Sequence, residues 1–150
     1  MDFLDAMKFV ESRNPGGMVL GLDAVTKLLD RLDNPQNQLK FIHIAGTNGK
    51  GSVGAYIANI LVAAGYKVGR YVSPTILEYC ERIQVMEGDI CAHITKEAVG
   101  EKIEKIQTAV QAMEEAGEPL PTAFEIETAM AFLEFKDQKC DYVVLEVGLG

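Results

Sequence analysis

The stretch "HIAGTNGKGS", residues 43 to 52, decides the fold class of this chain. It joins a short, β-branched segment, "LKFIHIA", to a segment in which apolar residues recur with a helical period. The glycines Gly46, Gly49 and Gly51 let the backbone of the turn approach a ligand closely. A second strand-like segment, "YKVGRYVS", follows the helix, so we predict a parallel, right-handed βαβ unit.

The same stretch differs from the usual phosphate-binding loop, G-x-x-x-x-G-K-[ST]. Lys50 is followed by Gly51, which has no hydroxyl group to hold Mg²⁺, and Ile44 stands where the first glycine is expected. Backbone N–H groups at the start of a helix still attract phosphate oxygens, and the lysine adds a positive charge. A glycine-rich turn without a ligand is the alternative. We predict a phosphate site, with these residues: Gly46, Thr47, Asn48, Gly49, Lys50, Gly51 and Ser52.

Two oxygen-bearing side chains elsewhere in the chain are candidates for the missing magnesium ligand. Ser73 directly follows the second strand, and Glu146 ends the last apolar strand, "YVVLE". Carboxyl ends of parallel strands gather at one edge of an α/β sheet, and Mg²⁺ prefers oxygen ligands. The simpler alternatives are a turn serine before Pro74 and a chance acid at a strand end.

Apolar periodicity and capping residues outline the remaining elements. A capping-box pattern, Thr122 with Glu125, opens a helix, and Gly65 is placed to end one. "RIQVM" followed by "EGDI" is typical of a small hairpin or an edge strand, and "DYVVLEV" of a buried strand. The predicted helices are, in order, residues 3–13, 22–32, 52–64, 96–116 and 122–135.

Composition narrows the class of protein. Hydrophobic residues make up 48% and charged residues 24% of the 150 residues, which is normal for a globular domain. The net charge of −8 argues against a nucleic-acid partner. No apolar run spans a bilayer and no signal peptide opens the chain, so we expect a cytoplasmic protein without a membrane partner.

The three cysteines lack metal-binding spacing and are expected to be reduced and mostly buried. His43 is expected to be a core histidine.

Five motifs occur in a fixed order: "GTNGKGS", "YVSP", "ERIQV", "TAFE" and "VVLEVGLG". Together they resemble the N-terminal ATPase region of folylpolyglutamate synthase and dihydrofolate synthase, relatives of the Mur ligases. The resemblance spans the whole chain. It implies an α/β fold, a P-loop NTPase-like three-layer sandwich with a mostly parallel sheet, as in the Mur ligase central domain.

The resemblance also implies an activity and its cofactors. Family members use ATP and Mg²⁺ to join L-glutamate to a folate or dihydropteroate carboxylate through an acyl phosphate. It implies that Lys50 is catalytic, that Ser73 and Glu146 hold Mg²⁺, and that Arg82 and Phe124 lie on the pterin side. Helix packing for Phe124 and a structural ion pair for Arg82 are the alternatives. The full-length enzyme is expected to be a monomer that acts on small molecules.

The chain stops at Gly150, directly after an apolar strand. We therefore expect residues 1–150 to be the N-terminal part of an ATP-binding domain. The remainder of that domain and a C-terminal glutamate-ligase domain would be absent, and this piece alone would be inactive. Two alternative functions stay open at this point: a Mur-type ligase for peptidoglycan precursors, and a nucleotide-binding module without ligase chemistry.

Overall fold

The computed structural model of the chain describes residues 1–13, 22–44, 50–72 and 78–146. The chain divides into two compact units, and each is built from two separate stretches of sequence. The helical unit consists of Met1–Pro35 and Lys96–Glu134. The sheet unit consists of Gln36–Thr95 and Phe135–Gly150.

The sheet unit contains one five-stranded sheet among its described residues. Its strands are β1 Phe41–His43, β2 Val68–Val72, β3 Ile83–Glu87, β4 Ile90–His93 and β5 Tyr142–Glu146. The order across the sheet is β1-β5-β2-β3-β4. Strands β1, β5 and β2 are parallel neighbours, whereas β3 is antiparallel to both β2 and β4. Among these strands only β3 runs against the others, which agrees with the predicted mostly parallel sheet and hairpin.

Strand β5 lies between the two strands of the predicted βαβ unit. It pairs with β1 and with β2, in registers that set His43 opposite Leu145 and Val72 opposite Glu146. Because the three strands are parallel, their carboxyl ends meet at one edge of the sheet. The chain continues from those three ends into residues 45–49, 73–77 and 147–150.

Helix α3, Lys50–Ala63, packs on one face of this sheet. Side chains alternate along a strand, so every second residue of β2 and β5 faces the helix. The resulting core cluster consists of Ile44, Ala58, Val68 and Val144, with Ile42, Ile57, Leu61, Val62 and Met86 packed against it. The apolar period of the sequence predicts this buried side only in part, because Ile57 and Leu61 pack against the cluster whereas Val53 and Ile60 are 48% and 53% exposed.

Gly65 ends α3 as predicted, in the left-handed region with φ +96°. Its N–H donates to the carbonyl of Val62 at 2.9 Å, and the N–H of Tyr66 donates to the carbonyl of Leu61 at 3.1 Å. These two bonds form a Schellman motif, which satisfies carbonyls that the last helical turn leaves without partners.

In strand β1, the exposure of His43 differs from the prediction. His43 is exposed rather than buried in the core, and Phe41 is 37% exposed. Both side chains alternate with Ile42, which faces α3, and β1 is the edge strand of the sheet. The cysteines also differ from expectation in part, since all three are reduced, as expected, but only Cys140 is buried.

Four helices build the helical unit in its described residues. They are α1 Phe3–Ser12, α2 Asp23–Arg31, α4 Lys96–Glu115 and α5 Ala123–Asp137, of which α5 continues past Glu134 into the sheet unit. Helices α1 and α2 both contact α4. The predicted bounds of these helices agree with the observed ones to within two residues. No helix in the described ranges is both long and apolar enough to cross a bilayer.

Capping residues and one buried ion pair hold the helical unit together. Asp2 caps α1 by accepting a hydrogen bond from the N–H of Asp5 at 2.8 Å. At the start of α5, the N–H of Thr122 donates to Glu125 Oε1 at 2.9 Å and the N–H of Glu125 donates to Thr122 Oγ1 at 3.3 Å. This reciprocal pair is the predicted capping box. Lys102 on α4 is buried, with its Nζ atom 3.5 Å from Oε1 of Glu134 on α5.

Candidate functional site

The predicted phosphate site is only partly within the described residues. Gly46, Thr47, Asn48 and Gly49 lie outside them. Lys50 begins α3, and for Lys50 and Gly51 the structure describes the backbone alone. Ser52 is exposed in the first turn of the same helix. The helix that follows β1 thus begins where the sequence predicts a phosphate site.

Glu146 ends β5 with a side chain that is only 1% exposed. Arg70 on β2 holds its carboxylate with two hydrogen bonds. Arg70 Nε donates to Oε2 at 2.6 Å, and Arg70 Nη2 donates to Oε1 at 2.7 Å. The two residues share a face of the sheet because Val72 is opposite Glu146 and Arg70 is two positions before Val72. A guanidinium ion, always charged, therefore balances the charge of the buried acid.

Gly54 brings this carboxylate next to α3. A Cβ atom built on Gly54 would lie 2.1 Å from both Cδ and Oε1 of Glu146, so only a glycine leaves room for the acid. Gly54 is one helical turn, about 6 Å, after Lys50. The structure thus brings Glu146 to the first turns of the helix that Lys50 begins. Its predicted role as a metal ligand stays a prediction.

Ser73, the other predicted magnesium ligand, lies outside the described residues. The residue before it in the sequence, Val72, is paired with Glu146 across β2 and β5. Among the described residues, no group of three or more His, Cys, Asp or Glu side chains lies together in a way that would hold a metal ion. Glu146 is consequently the one predicted metal ligand that the structure describes.

The two predicted substrate residues belong to different units. Arg82 lies in the sheet unit, in the 3-10 helix Tyr79–Arg82 before β3. Its guanidinium carbon is 3.9 Å from the centroid of the Tyr79 ring, and its Nε atom donates to the Tyr79 carbonyl at 3.0 Å. Phe124 lies in the helical unit, in the first turn of α5, and is 48% exposed. Its ring is therefore half open to solvent, and its place on the pterin side stays a prediction.

Sequence reasoning missed Arg70 and Gly54. Arg70 is the one charged residue inside β2, "VGRYV", and a charge within a sheet that has a helix on its face needs a partner. Glu146 is the matching acid in β5. The signal was present as two opposite charges in two apolar strands, but their pairing depends on the neighbouring positions of β2 and β5.

The fold and the acid define a class of protein. A glycine-rich segment of the sequence and then a helix follow a parallel strand, and an acid at the carboxyl end of the adjacent strand meets the start of that helix. This is the arrangement of α/β proteins of the P-loop type, which gather their ligands at that edge of the sheet.

Known proteins narrow this class to one family. The chain is 38% identical over 149 residues to a dihydrofolate synthase/folylpolyglutamate synthase of Bacillus subtilis, a match that covers 99% of this chain and 34% of that protein. The crystal structure of a folylpolyglutamate synthase from Thermotoga maritima matches with a TM-score of 0.86 at 38% identity, over 99% of this chain and 33% of that one. A solved FPGS–AMPPCP–folate complex matches with a TM-score of 0.88 at 32% identity, over 100% of this chain and 36% of that one. No protein-family model matches the chain.

Over nearly its whole length, the chain resembles proteins of the folylpolyglutamate synthase and dihydrofolate synthase family. It spans about a third of the length of the relatives that it matches. The family predicted from the five motifs is confirmed, and so is the Mur ligase-like α/β fold class.

Proposed function

We propose that residues 1–150 form the N-terminal part of the ATP-binding domain of an ATP-dependent amide ligase. The ligase adds L-glutamate to folate, to dihydropteroate, or to both. The observation that carries the proposal is the Glu146 carboxylate, buried against Gly54 one turn after Lys50. Relatives named as dihydrofolate and folylpolyglutamate synthases, and the FPGS complex with AMPPCP and folate, support the choice of substrates.

ATP would bind at the start of α3. The backbone N–H groups of residues 46–52 cradle its phosphates, and the helix dipole adds to the attraction. The glycines let the backbone come close to the phosphate oxygens. Lys50 stabilises the transferring γ-phosphoryl group with its positive charge.

Ser73 and Glu146 would hold Mg²⁺, in place of the hydroxyl that Gly51 lacks. A carboxylate is the type of ligand that this ion prefers. In the structure the Arg70 guanidinium holds the Glu146 carboxylate that would contact the ion. Mg²⁺, when bound, offsets the negative charge of the phosphate oxygens.

The chemistry is phosphoryl transfer followed by amide formation. A carboxylate oxygen of the pterin substrate attacks the γ-phosphorus, the bond to the β–γ bridging oxygen breaks, and ADP leaves. The amine of glutamate then attacks the acyl carbon and loses a proton as phosphate leaves. The protein's part is to position the reactants and to neutralise charge. Arg82 and Phe124 would contact the pterin substrate, and the exposure of Phe124 leaves its ring available for stacking on a flat ring.

The remaining features of the proposal concern the complete enzyme. The rest of the ATP-binding domain and a C-terminal glutamate-ligase domain would complete it, as a cytoplasmic monomer. Its partners would be small molecules alone. The net charge of −8 supports the absence of a nucleic-acid partner, since a phosphate backbone needs a basic surface.

The test is the Lys50→Ala variant of the complete enzyme that contains this chain. We expect ATP-dependent formation of the glutamyl amide to fall by about 10²–10³-fold, the usual cost of losing one transition-state charge contact. Lys105→Ala, the same substitution at an exposed position of α4, is the control and should leave the rate unchanged. Undiminished product in the Lys50 variant would refute the site.

The same assay separates the alternative functions. Product from a pterin carboxylate supports the proposal, whereas product from a UDP-muramyl acid supports a Mur-type ligase. Phosphate release that needs neither carboxylate nor amine would indicate a nucleotide-binding module without ligase activity.

A further inference from the structure

We propose that Arg70 competes with the divalent cation for the Glu146 carboxylate, so that the ion binds only when the guanidinium leaves. This inference rests on the proposed function, because it takes Glu146 to be a magnesium ligand. It adds a residue to the site that neither the motifs nor the comparisons assign.

The geometry shows that Arg70 engages the whole carboxylate. The guanidinium contacts both oxygens, Oε2 at 2.6 Å and Oε1 at 2.7 Å. Bidentate pairs of this kind are the strongest and most directional contacts that a carboxylate makes in proteins. The backbone of α3 also approaches Oε1, since a Cβ atom built on Gly54 would lie 2.1 Å from it. A cation that approaches either oxygen therefore meets a group that is already bound there.

Electrostatic repulsion keeps the Arg70 guanidinium and a divalent cation from binding the Glu146 carboxylate at the same time. The Glu146 side chain is 1% exposed and that of Arg70 is 14% exposed, so solvent screens their interaction poorly. A divalent ion on the same carboxylate would face the guanidinium at short range, and like charges repel strongly in such a place. The guanidinium retains some solvent exposure, which gives it room to move away.

Competition predicts a lower metal affinity than Glu146 would otherwise have. Because the two equilibria are linked, whatever weakens the Arg70 pair strengthens metal binding, and metal binding weakens the pair. The positive charge of Arg70 causes the competition, so a neutral side chain of similar length at this position should remove it and raise the metal affinity. A lysine, which keeps the charge, should not.

The experiment is a titration of the chain with Mn²⁺, followed by the EPR signal of the free ion. Arg70→Gln keeps a hydrogen-bond donor for Glu146 but removes the charge, and we expect it to bind Mn²⁺ roughly tenfold or more tightly than the unmodified chain. Arg70→Lys should stay within about twofold of the unmodified chain, since it keeps the charge. Lys67→Gln removes an equal charge from the residue just before β2, and as the matched control it should also change little.

Two outcomes would overturn the proposal. Arg70→Gln with the affinity of the unmodified chain would show that the guanidinium does not compete, and so would equal tightening by the Gln and Lys variants. Glu146→Gln separates this failure from that of the proposed function. If Glu146→Gln weakens Mn²⁺ binding while Arg70→Gln has no effect, only the competition is wrong. If Glu146→Gln has no effect in either background, the metal role of Glu146 is wrong as well.

NMR spectroscopy supplies a readout that does not depend on affinity. We expect Mg²⁺ to shift or broaden the Nε–Hε signal of Arg70 as the pair opens. Arg31 Nε donates to Glu118 Oε1 at 3.1 Å in an ion pair in the helical unit, and its signal is the internal control that should not change. An Arg70 signal that stays fixed while Mg²⁺ binds would contradict the displacement.

Discussion

At the scale of single residues, the surroundings of the Glu146 carboxylate depend on two neighbours. Arg70 supplies the opposite charge, and Gly54 supplies the space. A buried carboxylate without a partner is costly, and a helix that approaches it this closely must lack a side chain at the contact. Substitution of Gly54 and substitution of Arg70 test each contribution separately.

Replacing Gly54 with alanine should displace the carboxylate. The new Cβ atom would stand 2.1 Å from Oε1 of a side chain that is buried and held by Arg70. Overpacking lowers the free energy of unfolding by about 1–3 kcal/mol, and the better helix propensity of alanine offsets up to about 1 kcal/mol of that loss. We expect a lower free energy of unfolding in urea and loss of the Arg70–Glu146 pair. Asn59→Ala, at an exposed position of the same helix, is the control and should not destabilise. Unchanged stability in Gly54→Ala would mean that the acid moves without cost.

Replacing Arg70 with leucine should leave Glu146 as a buried charge without its counter-ion. Breaking one side of a buried pair typically costs about 3–5 kcal/mol, whereas replacing both members by apolar residues is often neutral. We therefore expect Arg70→Leu to lower the free energy of unfolding far more than the double variant Arg70→Leu/Glu146→Leu does. Arg31→Leu breaks a more exposed pair with Glu118 and should cost less than about 1 kcal/mol. Equal losses in the single and double variants would contradict the account.

At the scale of elements, short-range hydrogen bonds set most of the boundaries. The Schellman motif at Gly65 ends α3, and the capping box at Thr122 begins α5. The hairpin turns at Gly88, whose φ of +59° suits a glycine, between the paired residues Glu87 and Ile90. Each of these signals involves residues close in sequence, so each can be recognised before the fold is known.

Thr122→Ala tests the capping box. It removes the oxygen that accepts from the N–H of Glu125, and loss of such a cap costs about 1 kcal/mol. Thr122→Ser keeps the oxygen and should retain most of the stability. Thr128→Ala makes the same change within α5, where the hydroxyl only donates a hydrogen bond to the Phe124 carbonyl of the preceding turn. This variant should change stability by less than about 0.5 kcal/mol. Chemical denaturation would measure all three, and equal losses at both threonines would argue against a specific cap.

At the scale of the whole molecule, the two units are interleaved along the chain. The sheet unit takes residues 36–95 and 135–150, and the helical unit takes the stretches before and between them. Strand β5, the second strand in the sheet order, comes from the second stretch and pairs with β1 and β2 from the first. A truncation before residue 142 would therefore remove the strand that joins β1 to β2.

Residues 1–150 by themselves should show no synthase activity. The chain spans about a third of its relatives, so the groups that bind adenine and glutamate are expected elsewhere. The measurement is incubation with ATP, folate and L-glutamate, with amide product detected by mass spectrometry and the complete enzyme as the positive control. Steady ADP release together with amide product would contradict this prediction.

Local patterns in the sequence determined the elements and the family. Helical and strand periods, capping residues and turn glycines act over a few residues, which is why the helix bounds, the Schellman glycine and the hairpin agree with prediction. The five motifs identified the family because their order is specific. The assignment of Ser73 and of Gly46 to Gly49 to the site still rests on the sequence pattern and on that resemblance, since these residues lie outside the described ranges.

Only the tertiary structure decided which residues meet across the sheet. The pairing of Arg70 with Glu146 depends on β5 lying next to β2, and the two residues are far apart in the sequence. The exposure of His43 depends on β1 being an edge strand, and that of Phe124 on what packs around α5. These properties follow from long-range packing, because the order of the strands depends on the surface that distant segments bury together. No local sequence period encodes that order.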